Sequence, residues 1–353
     1  MLLVLALVAV IWGMGALAGM PVRLRWILVV CLWLAVVLAQ LVLPEGNGLR
    51  LATGGSAALW LMVGAAVVLV LAYRAGLRWL KARAHVAEEV APEGPFRDAE
   101  LTRYARHIIL REVGGPGQVK LKRAKVLVIG AGGLGSPAIM YLGAAGVGVI
   151  GVVDDDTVDA SNLQRQIIHH DGDIGRAKVQ SAADRVRALN PFVEFRPYQR
   201  RLAEAEAEAL FAEYDLILDG TDNFETRYLA NRVAVALGKP LISGALTQWE
   251  GQLSVFDPAR GGPCYRCIFP EAPAPGLAPS CAEAGVIGPL PGVLGSMMAV
   301  EAVKAITGAG AVLRGEMLIY DALWGETRKI GLKPRADCPD CQGRGLAASA
   351  GGA

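Results

Sequence analysis

Two cations and one carboxylate are of the types that could act on a triphosphate: Arg165, Lys178 and Asp222. An enzyme that breaks a triphosphate needs fixed positive charge beside the β and γ phosphates and a carboxylate for magnesium. Taken singly, each side chain would be better explained as a member of a surface ion pair. Arg165 lies in the segment Ser161–Gln166, Lys178 follows 13 residues later, and Asp222 lies in Leu218–Asn223. This combination in this order favours an ATP-cleaving site.

A glycine-rich turn precedes these residues and predicts where a nucleotide binds. The apolar run Val126–Ile129 predicts a buried strand, and a helix is expected near Ser136. Between them the turn carries four glycines: Gly130, Gly132, Gly133 and Gly135. Glycines let backbone N–H groups approach a phosphate, and a helix N-terminus favours its negative charge. Asp154, 19 residues after Gly135, suits a ribose hydroxyl.

The turn and Asp154 by themselves fit NAD as well as ATP. A hydride-transfer enzyme needs a flat pocket for nicotinamide and has little use for Arg165 and Lys178 beside the phosphates. The residues downstream of the turn therefore favour ATP. An NAD-binding oxidoreductase stays as an alternative of another class.

Four cysteines form two C-x-x-C pairs: Cys264, Cys267, Cys338 and Cys341. Two such knuckles predict a closed tetrahedral zinc site of the structural type. The separation of 71 between Cys267 and Cys338 exceeds that of a compact zinc ribbon, so the two halves must meet through the fold. Redox dithiols and unrelated cysteines are alternatives, but no thioredoxin-like helix is expected after either pair.

Another cysteine, Cys281, follows the proline-rich segment Pro270–Pro279. The repeated prolines exclude helix and sheet and predict a surface loop. A thiol on such a loop near an activated acyl group could act as a nucleophile. It could equally be a small apolar residue packed ahead of the next helix. The sequence leaves both interpretations of Cys281 open.

Alternating strands and helices are expected to position these residues. Strands are predicted at Val126–Ile129, Val147–Val153, Val193–Tyr198, Leu216–Asp219, Pro240–Gly244 and Gln252–Phe256. Helices are predicted near Ser136 and over Ala99–Glu112, Ala177–Leu189, Ala203–Glu213, Phe224–Leu237 and Val293–Ile306. This alternation predicts an α/β fold with a Rossmann-like, doubly wound, mostly parallel sheet.

The N-terminal part differs in composition from the rest. Hydrophobic residues make up 53% of the chain and charged residues 19%, with a mean hydropathy of +0.39 that is high for a soluble enzyme. Three apolar segments, Leu2–Met20, Trp26–Leu43 and Ala57–Tyr73, approach the ~20 residues that cross a bilayer as a helix. A signal peptide is the alternative for the first segment, which lacks a basic start, and a buried core hairpin is the alternative for the others. We therefore expect three transmembrane helices.

Basic residues predict the orientation of these helices. Arg23 and Arg25 lie between the first two segments, and four basic residues follow the third: Arg74, Arg78, Lys81 and Arg83. The positive-inside rule then puts everything after Tyr73 in the cytoplasm. The expected location is the cytoplasmic (inner) membrane, multi-pass, with the nucleotide-binding part in the cytoplasm. A net charge of +2 gives no case for nucleic-acid binding.

In order along the chain, these motifs resemble the ThiF/MoeB/HesA family, relatives of the adenylation domains of ubiquitin-activating enzymes. The similarity is greatest to MoeB-type molybdopterin-synthase adenylyltransferases. It covers about Leu101 to Gly343 and rests on Arg103–Leu110, the turn Gly130–Gly135, Asp154, Ser161–Gln166, Lys178, Thr221–Asn223, both cysteine pairs and Cys281–Val286. The expected organisation is a membrane domain (1–80), a linker (81–98), an adenylation domain (99–343) and a disordered tail (344–353).

The resemblance implies ATP-dependent adenylation of the C-terminal glycine of a ubiquitin-like sulfur carrier ending in Gly-Gly. The carrier would be the small subunit of molybdopterin synthase, and an acyl-adenylate and pyrophosphate would form. The runner-up is a ThiF-like enzyme of thiamine biosynthesis, in which Cys281 would link covalently to its carrier. A non-catalytic membrane scaffold is a further class. A separate sulfur donor, a rhodanese or desulfurase, is expected, since the sequence carries no rhodanese segment.

The same resemblance assigns roles to residues. Gly133 and Asp154 would hold phosphate and ribose. Asn162, Arg165 and Lys178 would hold the triphosphate, and Asp222 would bind magnesium. Further candidates for nucleotide contact are Gly130, Gly132, Gly135, Ser161, Gln164 and Asn223. Arg106 would reach into a neighbouring subunit's site, which implies a homodimer. No general base is needed, because a carboxylate is already ionised near pH 7.

Overall fold

The computed structural model describes residues 2–84, 94–274 and 284–344. The chain divides into two compact units, Met1–Ala91 and Pro92–Ala353. Cys281, residues 85–93 of the expected linker and the tail from residue 345 onward lie outside the described residues.

The first unit consists of apolar helices. They are α1 (Leu2–Leu17), α2 (Val22–Val42), α3 (Gly48–Ala52) and α4 (Ala57–Ala84). A small buried cluster of Val4, Val36, Val37 and Trp60 joins α1, α2 and α4. Trp33 of α2 packs on Gly64 of α4 so closely that an added Cβ at Gly64 would lie 2.4 Å from the indole ring. Most other large apolar side chains of this unit are exposed.

Among the described residues, three helices are long and apolar enough to cross a bilayer: Val22–Val42, Ala57–Trp79 and Pro289–Thr307. The first two are 17% and 6% buried within the protein, whereas Pro289–Thr307 is 50% buried. Because its own domain covers half of Pro289–Thr307, this segment is a core helix. Its length and apolar composition therefore do not by themselves make it a membrane span. Helix α1 has 16 residues, or about 24 Å, and is shorter than the expected first span and than the ~30 Å of a hydrocarbon core.

The second unit is an α/β domain built around one sheet. Its strands are β1 (Lys125–Ile129), β2 (Val149–Val153), β3 (Glu194–Tyr198), β4 (Leu216–Asp219), β5 (Leu241–Leu246), β6 (Glu250–Phe256), β7 (Glu316–Asp321) and β8 (Glu326–Gly331). Its helices are α5 (Asp98–Ile108), α6 (Gly114–Arg123), α7 (Gly135–Ala145), α8 (Lys178–Leu189), α9 (Glu204–Ala212), α10 (Phe224–Ala236), α11 (Tyr265–Ile268) and α12 (Pro289–Thr307). The predicted α/β fold is confirmed.

The strand order, β3-β2-β1-β4-β5-β6-β7-β8, defines two parts of the sheet. Strands β1 to β5 pair in parallel, and β6 to β8 add an antiparallel extension. The chain runs outward from β1 through β2 and β3 and then returns to β4 on the other side of β1. The carboxyl ends of β1 and β4 therefore flank a topological switch point, where ligands bind in doubly wound sheets.

Both faces of the parallel strands are covered, which explains their continuous apolar sequence. Along β1, Val126 and Val128 contact the cluster formed with α7, α8 and α12. Leu127 and Ile129 point to the other face, where they join the cluster formed with α9 and α10. This alternation follows from the two-residue period of a strand. The sheet is thereby held rigidly beneath the loops at its carboxyl edge.

Three elements differ from the sequence expectations. The helix expected over Ala99–Glu112 ends at Ile108, and a second helix, α6, follows a turn at Gly114, whose φ of +59° favours glycine. Strands β7 and β8 were not expected. Every residue of β8 is exposed, so its sequence lacks the apolar alternation that identifies a half-buried strand.

Candidate nucleotide-binding site

A cavity of about 940 Å³ opens at the carboxyl edge of the parallel strands. Nine of the candidate residues line it: Gly130, Gly132, Gly133, Asp154, Asn162, Arg165, Lys178, Asp222 and Asn223. These residues come from the loops after β1, β2 and β4, which are neighbours in the sheet. The fold therefore brings together side chains that are up to 93 positions apart in the sequence.

The glycine-rich turn is shaped by close backbone approaches. Gly130 has a φ of +92°, a conformation that favours glycine. An added Cβ at Gly135 would lie 1.9 Å from the Gly130 carbonyl oxygen, so that position must also be glycine. An added Cβ at Gly133 would lie only 3.0 Å from Cβ of Pro291 in α12. The turn is thus compact and leads directly into α7, whose N-terminus suits an anion.

Asp154 accepts a hydrogen bond from the glycine-rich turn and also lines the cavity. Its Oδ2 accepts the Ala131 N–H at 2.7 Å, and its Oδ1 accepts the Asp156 N–H at 2.8 Å. Burial raises the pKa of Asp154 above its usual range, although these hydrogen bonds and Lys178 counteract the shift. Each carboxylate oxygen has a second lone pair, so both can still accept a hydrogen bond from a ribose hydroxyl.

The two candidate cations are held by nearby oxygens. Lys178 is buried at the first position of α8, and its Nζ lies 2.7 Å from Asp156 Oδ2. The Arg165 guanidinium donates to the Ser161 carbonyl at 3.1 Å and to Asn162 Oδ1 at 3.3 Å. A triphosphate carries more negative charge than these oxygen groups, so it would replace them as the partner of Lys178 and Arg165.

The loop after β4 presents Asp222 to the cavity. Buried Asp219 accepts the Thr221 N–H at 3.1 Å and the Ser243 hydroxyl at 2.9 Å, which fixes the start of the loop. Asn223 Oδ1 accepts the Thr226 N–H at 2.9 Å and caps α10. Asp222 lies between these anchored residues and is exposed. Its carboxylate is therefore held at the cavity and open to a cation.

Four candidate residues do not line the cavity. Gly135 packs under the turn, and the Ser161 hydroxyl donates to Asp159 Oδ1 at 2.6 Å. Gln164 lies against Gly288, where an added Cβ would be 2.6 Å from its side-chain oxygen. Arg106 is exposed on α5. Nucleotide contact by Ser161 and Gln164, and the role of Arg106 across a subunit boundary, stay predictions.

Several cavity residues were not foreseen from the sequence. Buried Arg227 donates to the Thr221 carbonyl and, at 2.9 Å, to the Gly244 carbonyl, joining the loop after β4 to β5. Tyr265 and Phe269 of the first cysteine knuckle form part of the wall. Burial raises the pKa of Tyr265 to about 12, so its hydroxyl is neutral at pH 7. No local sequence signal identifies Arg227, inside a helix, or Tyr265, inside the first cysteine pair, as part of the cavity wall.

The four cysteines meet in one buried cluster. Cys264 Sγ lies 3.7 Å from Cys267 Sγ and 3.5 Å from Cys338 Sγ, and Cys267 Sγ lies 3.5 Å from Cys341 Sγ. Tetrahedral zinc with ~2.3 Å bonds to sulfur spaces the sulfurs ~3.8 Å apart, close to these distances. The donor set and its spacing therefore fit a divalent metal ion such as zinc.

The pKa values of these thiols show the effect of crowding. The hydrogen bond to Cys267, together with burial, raises the pKa of Cys264, and burial raises that of Cys341 to about 11. The hydrogen bond from Cys264 lowers the pKa of Cys267 to about 5. Several adjacent thiolates repel each other in a low-dielectric site unless a cation neutralises them.

The fold is an α/β architecture of the doubly wound class, with a cavity at the switch point where such sheets bind ligands. The ThiF family model matches residues 104–341, which is more than half of the chain. The chain therefore belongs to the ThiF family, and the family predicted from its motifs is confirmed.

Two curated relatives are about equally similar to this chain. One is the Mycobacterium tuberculosis protein named probable adenylyltransferase/sulfurtransferase MoeZ, 51% identical over 253 residues, 71% of this chain and 64% of that protein. The other is the Thermus thermophilus sulfur carrier protein adenylyltransferase, 51% identical over 246 residues, 69% of this chain and 91% of that protein. This chain thus spans less than two thirds of MoeZ but most of the Thermus protein.

Solved structures share the fold. The E. coli protein MccB, solved with ATP, has a TM-score of 0.60 and 20% sequence identity, covering 68% of this chain and 74% of MccB. At this identity the likeness establishes the architecture alone, and it agrees with the Rossmann-like sheet described above.

Proposed function

We propose that this protein uses ATP to adenylate the C-terminal glycine of a ubiquitin-like sulfur carrier. The observation that carries the proposal is the single cavity that contains the glycine-rich turn, Arg165, Lys178 and Asp222. The name of the Thermus relative supplies the substrate class, a sulfur carrier protein, and both names include adenylyl transfer. A hydride-transfer enzyme would have no use for this set of charges.

The chemistry requires positioning and charge neutralisation. The terminal glycine carboxylate attacks the α-phosphorus, the bond to the β-phosphate oxygen breaks, and pyrophosphate leaves with that electron pair. The carboxylate is ionised at neutral pH, so no side chain needs to remove a proton. Arg165 and Lys178 would bind the β and γ phosphates and stabilise the departing pyrophosphate. The N–H groups of the turn would orient the phosphate chain.

The cavity has room for a peptide beside the nucleotide. Its far wall is formed by β6 to β8, including Glu250, Gln252 and Arg328. The cavity volume of about 940 Å³ is at the upper end of the range for small-molecule sites. We therefore place the extended Gly-Gly tail of the carrier along this wall, with its carboxylate toward the glycine-rich turn.

Two metal ions fit the residues present. Asp222 offers an exposed carboxylate at the cavity, the ligand type that magnesium prefers. Magnesium bound there would neutralise phosphate charge. The four cysteines would hold zinc as a closed structural site, which leaves no open position for a substrate.

Membrane attachment forms a further part of the proposal. The exposed apolar surfaces of α2 and α4 support insertion into the cytoplasmic membrane, and the basic residues after Tyr73 support a cytoplasmic location for the catalytic unit. A homodimer in which Arg106 serves the neighbouring site is also proposed. The thiamine-pathway alternative, with Cys281 as nucleophile, concerns a residue outside the described ranges.

ATP–pyrophosphate exchange tests the proposal. The full chain, purified in detergent, should catalyse exchange when a carrier ending in Gly-Gly is added. The same carrier lacking its last glycine is the matched control and should give background exchange. Small subunits of molybdopterin synthase and thiamine-pathway carriers are compared to separate the two candidate substrates. An absence of exchange with every Gly-Gly carrier would contradict the proposed activity.

A further inference from the structure

A buried histidine beside the glycine-rich turn has no role in the proposed chemistry. His169 is 5% exposed, and its Nε2 lies 3.1 Å from the Ala131 carbonyl oxygen. Its Nδ1 lies 2.8 Å from the Ser181 hydroxyl. Since Ala131 precedes the two central glycines of the turn, His169 contacts the backbone that is expected to bind phosphate.

Both backbone polar groups of Ala131 form hydrogen bonds with side chains. Its N–H donates to Asp154, as described above, and its carbonyl oxygen accepts a hydrogen bond from His169 Nε2. The carbonyl of Ala131 and the N–H of Gly132 belong to one trans peptide and point in opposite directions. A hydrogen bond that fixes this carbonyl therefore also fixes the direction of the Gly132 N–H.

The Gly132 N–H is placed to bind an anion. Gly132 lines the cavity, and its N–H donates to no group within the described part of the chain. An added Cβ at Gly132 would have Gln166 Nε2, at 3.8 Å, as its nearest contact, so this side of the turn is open. A backbone N–H directed into such a cavity is a hydrogen-bond donor for a phosphate oxygen.

His169 is itself anchored to the helix that carries Lys178. Ser181 is three residues after Lys178 on α8 and is 2% exposed. The Ser181 hydroxyl also contacts Asp173 Oδ2 at 2.8 Å, and Asp173 pairs with Arg176. Two connections therefore join the turn to the start of α8: one runs through Asp154 and Asp156 to Lys178, and the other runs through His169 to Ser181.

The protonation of His169 is compatible with this role. Burial lowers the pKa of His169, while Asp173 and the Ala131 carbonyl act in the opposite direction, so the neutral imidazole is favoured. A carbonyl oxygen only accepts, so Nε2 carries a proton and donates to Ala131, whereas the single Ser181 hydroxyl proton can go either to His169 Nδ1 or to Asp173 Oδ2. Lys178 and His170 carry or can carry positive charge nearby and further oppose protonation.

We propose that His169 is a positioning residue that directs the Gly132 N–H at the nucleotide phosphates and sets its place relative to Lys178. This inference rests on ATP being the substrate. It assigns to His169 no contact with the nucleotide and no part in proton transfer. Its loss should weaken ATP binding selectively, because the turn would no longer present a directed donor.

The test compares His169→Leu, which removes the donor, with His169→Gln, whose side-chain amide can still donate to the Ala131 carbonyl. In exchange assays, His169→Leu should raise the KM for ATP about tenfold and leave the KM for the carrier within about twofold. His169→Gln should recover most of the loss. His170→Ala, which alters an exposed imidazole one residue away, is the matched control and should behave like the unmodified protein.

Calorimetric titration with α,β-methylene ATP gives a second readout that needs no carrier. The Kd of His169→Leu should rise by the same factor, and Ser181→Ala, which removes the anchor, should give a smaller increase. If the Kd differences appear without exchange in any variant, the proposed adenylation fails and the positioning role stands. If exchange is normal and Kd is the same in all folded variants, or if both His169 variants lose binding equally, the positioning role is wrong.

Discussion

The two units of this protein treat long apolar helices in opposite ways. Helix α4 leaves most of its large apolar side chains exposed, with Val68 64% accessible, whereas α12 buries Leu290, Leu294 and Met298 in the core beside the sheet. Both helices pass the length and hydropathy criteria for a membrane span. The comparison shows that hydropathy identifies candidate membrane spans. Packing then decides which candidates keep an apolar surface that only a membrane would cover.

The four-cysteine cluster offers the largest effect, which should be confined to the second unit. Cys338→Ser should abolish zinc binding and destabilise that unit by about 5 kcal/mol, because loss of a structural metal is among the most damaging substitutions. Zinc content by elemental analysis and thermal unfolding in detergent are the measurements. Cys31→Ser, in exposed α2, is the control and should change neither. Full zinc retention in Cys338→Ser would contradict the four-cysteine site.

Removal of the buried cation at the cavity should come next in size. Lys178→Ala is expected to reduce ATP–pyrophosphate exchange by about 100- to 1000-fold, since a preorganised charge at the leaving group is lost. The melting temperature should change little by comparison. Arg187→Ala, on the exposed side of the same helix, is the matched control. Equal exchange rates in the two variants would remove Lys178 from the proposed mechanism.

A charge placed on each of the two apolar helices tests the comparison directly. Val68→Arg in α4 should disfavour membrane insertion by about 3 kcal/mol, the usual cost of arginine at the centre of a span. Val300→Arg in α12, at a position that is 56% exposed, should leave membrane association unchanged. The fraction of protein that stays in membranes after alkaline extraction measures both. Similar behaviour of the two variants would break the distinction between span and core helix.

The smallest expected effect is a pH dependence within the second unit. Since burial lowers the pKa of His169, the unfolded chain binds a proton at a higher pH than the folded chain does. The contribution of His169 to the free energy of unfolding is therefore complete above its unfolded-state pKa of about 6.5. It is lost as the pH falls through the lowered pKa of the folded state. Urea unfolding from about pH 8 to about pH 5 should show this loss. His169→Gln should flatten it, whereas His170→Gln should not.

Local sequence patterns predicted much of the second unit. The strands β1 to β6 and the cavity-lining side chains Asp154, Arg165 and Lys178 were recognisable, because each follows a buried strand or belongs to a short motif. Patterns failed where exposure removed the apolar periodicity, as in β8, and after Ile108, where the helix expected over Ala99–Glu112 stops early and an unpredicted helix, α6, begins at Gly114. Buried Arg227 was missed because its partners, Thr221 in the loop after β4 and Gly244 in β5, are distant from it in the sequence.

The amino-acid sequence by itself determined the types of chemistry available: glycines for close approach to phosphate, fixed cations, a carboxylate for magnesium and four thiols for a metal. It also predicted three apolar segments in the first unit that approach the length of a membrane span. The tertiary structure decided what depends on contacts distant in sequence. It joined Cys264 and Cys267 to Cys338 and Cys341, buried α12, and fastened Ala131 between Asp154 and His169. Residue type and local spacing carry propensities, whereas the direction of a single N–H depends on every element that packs around it.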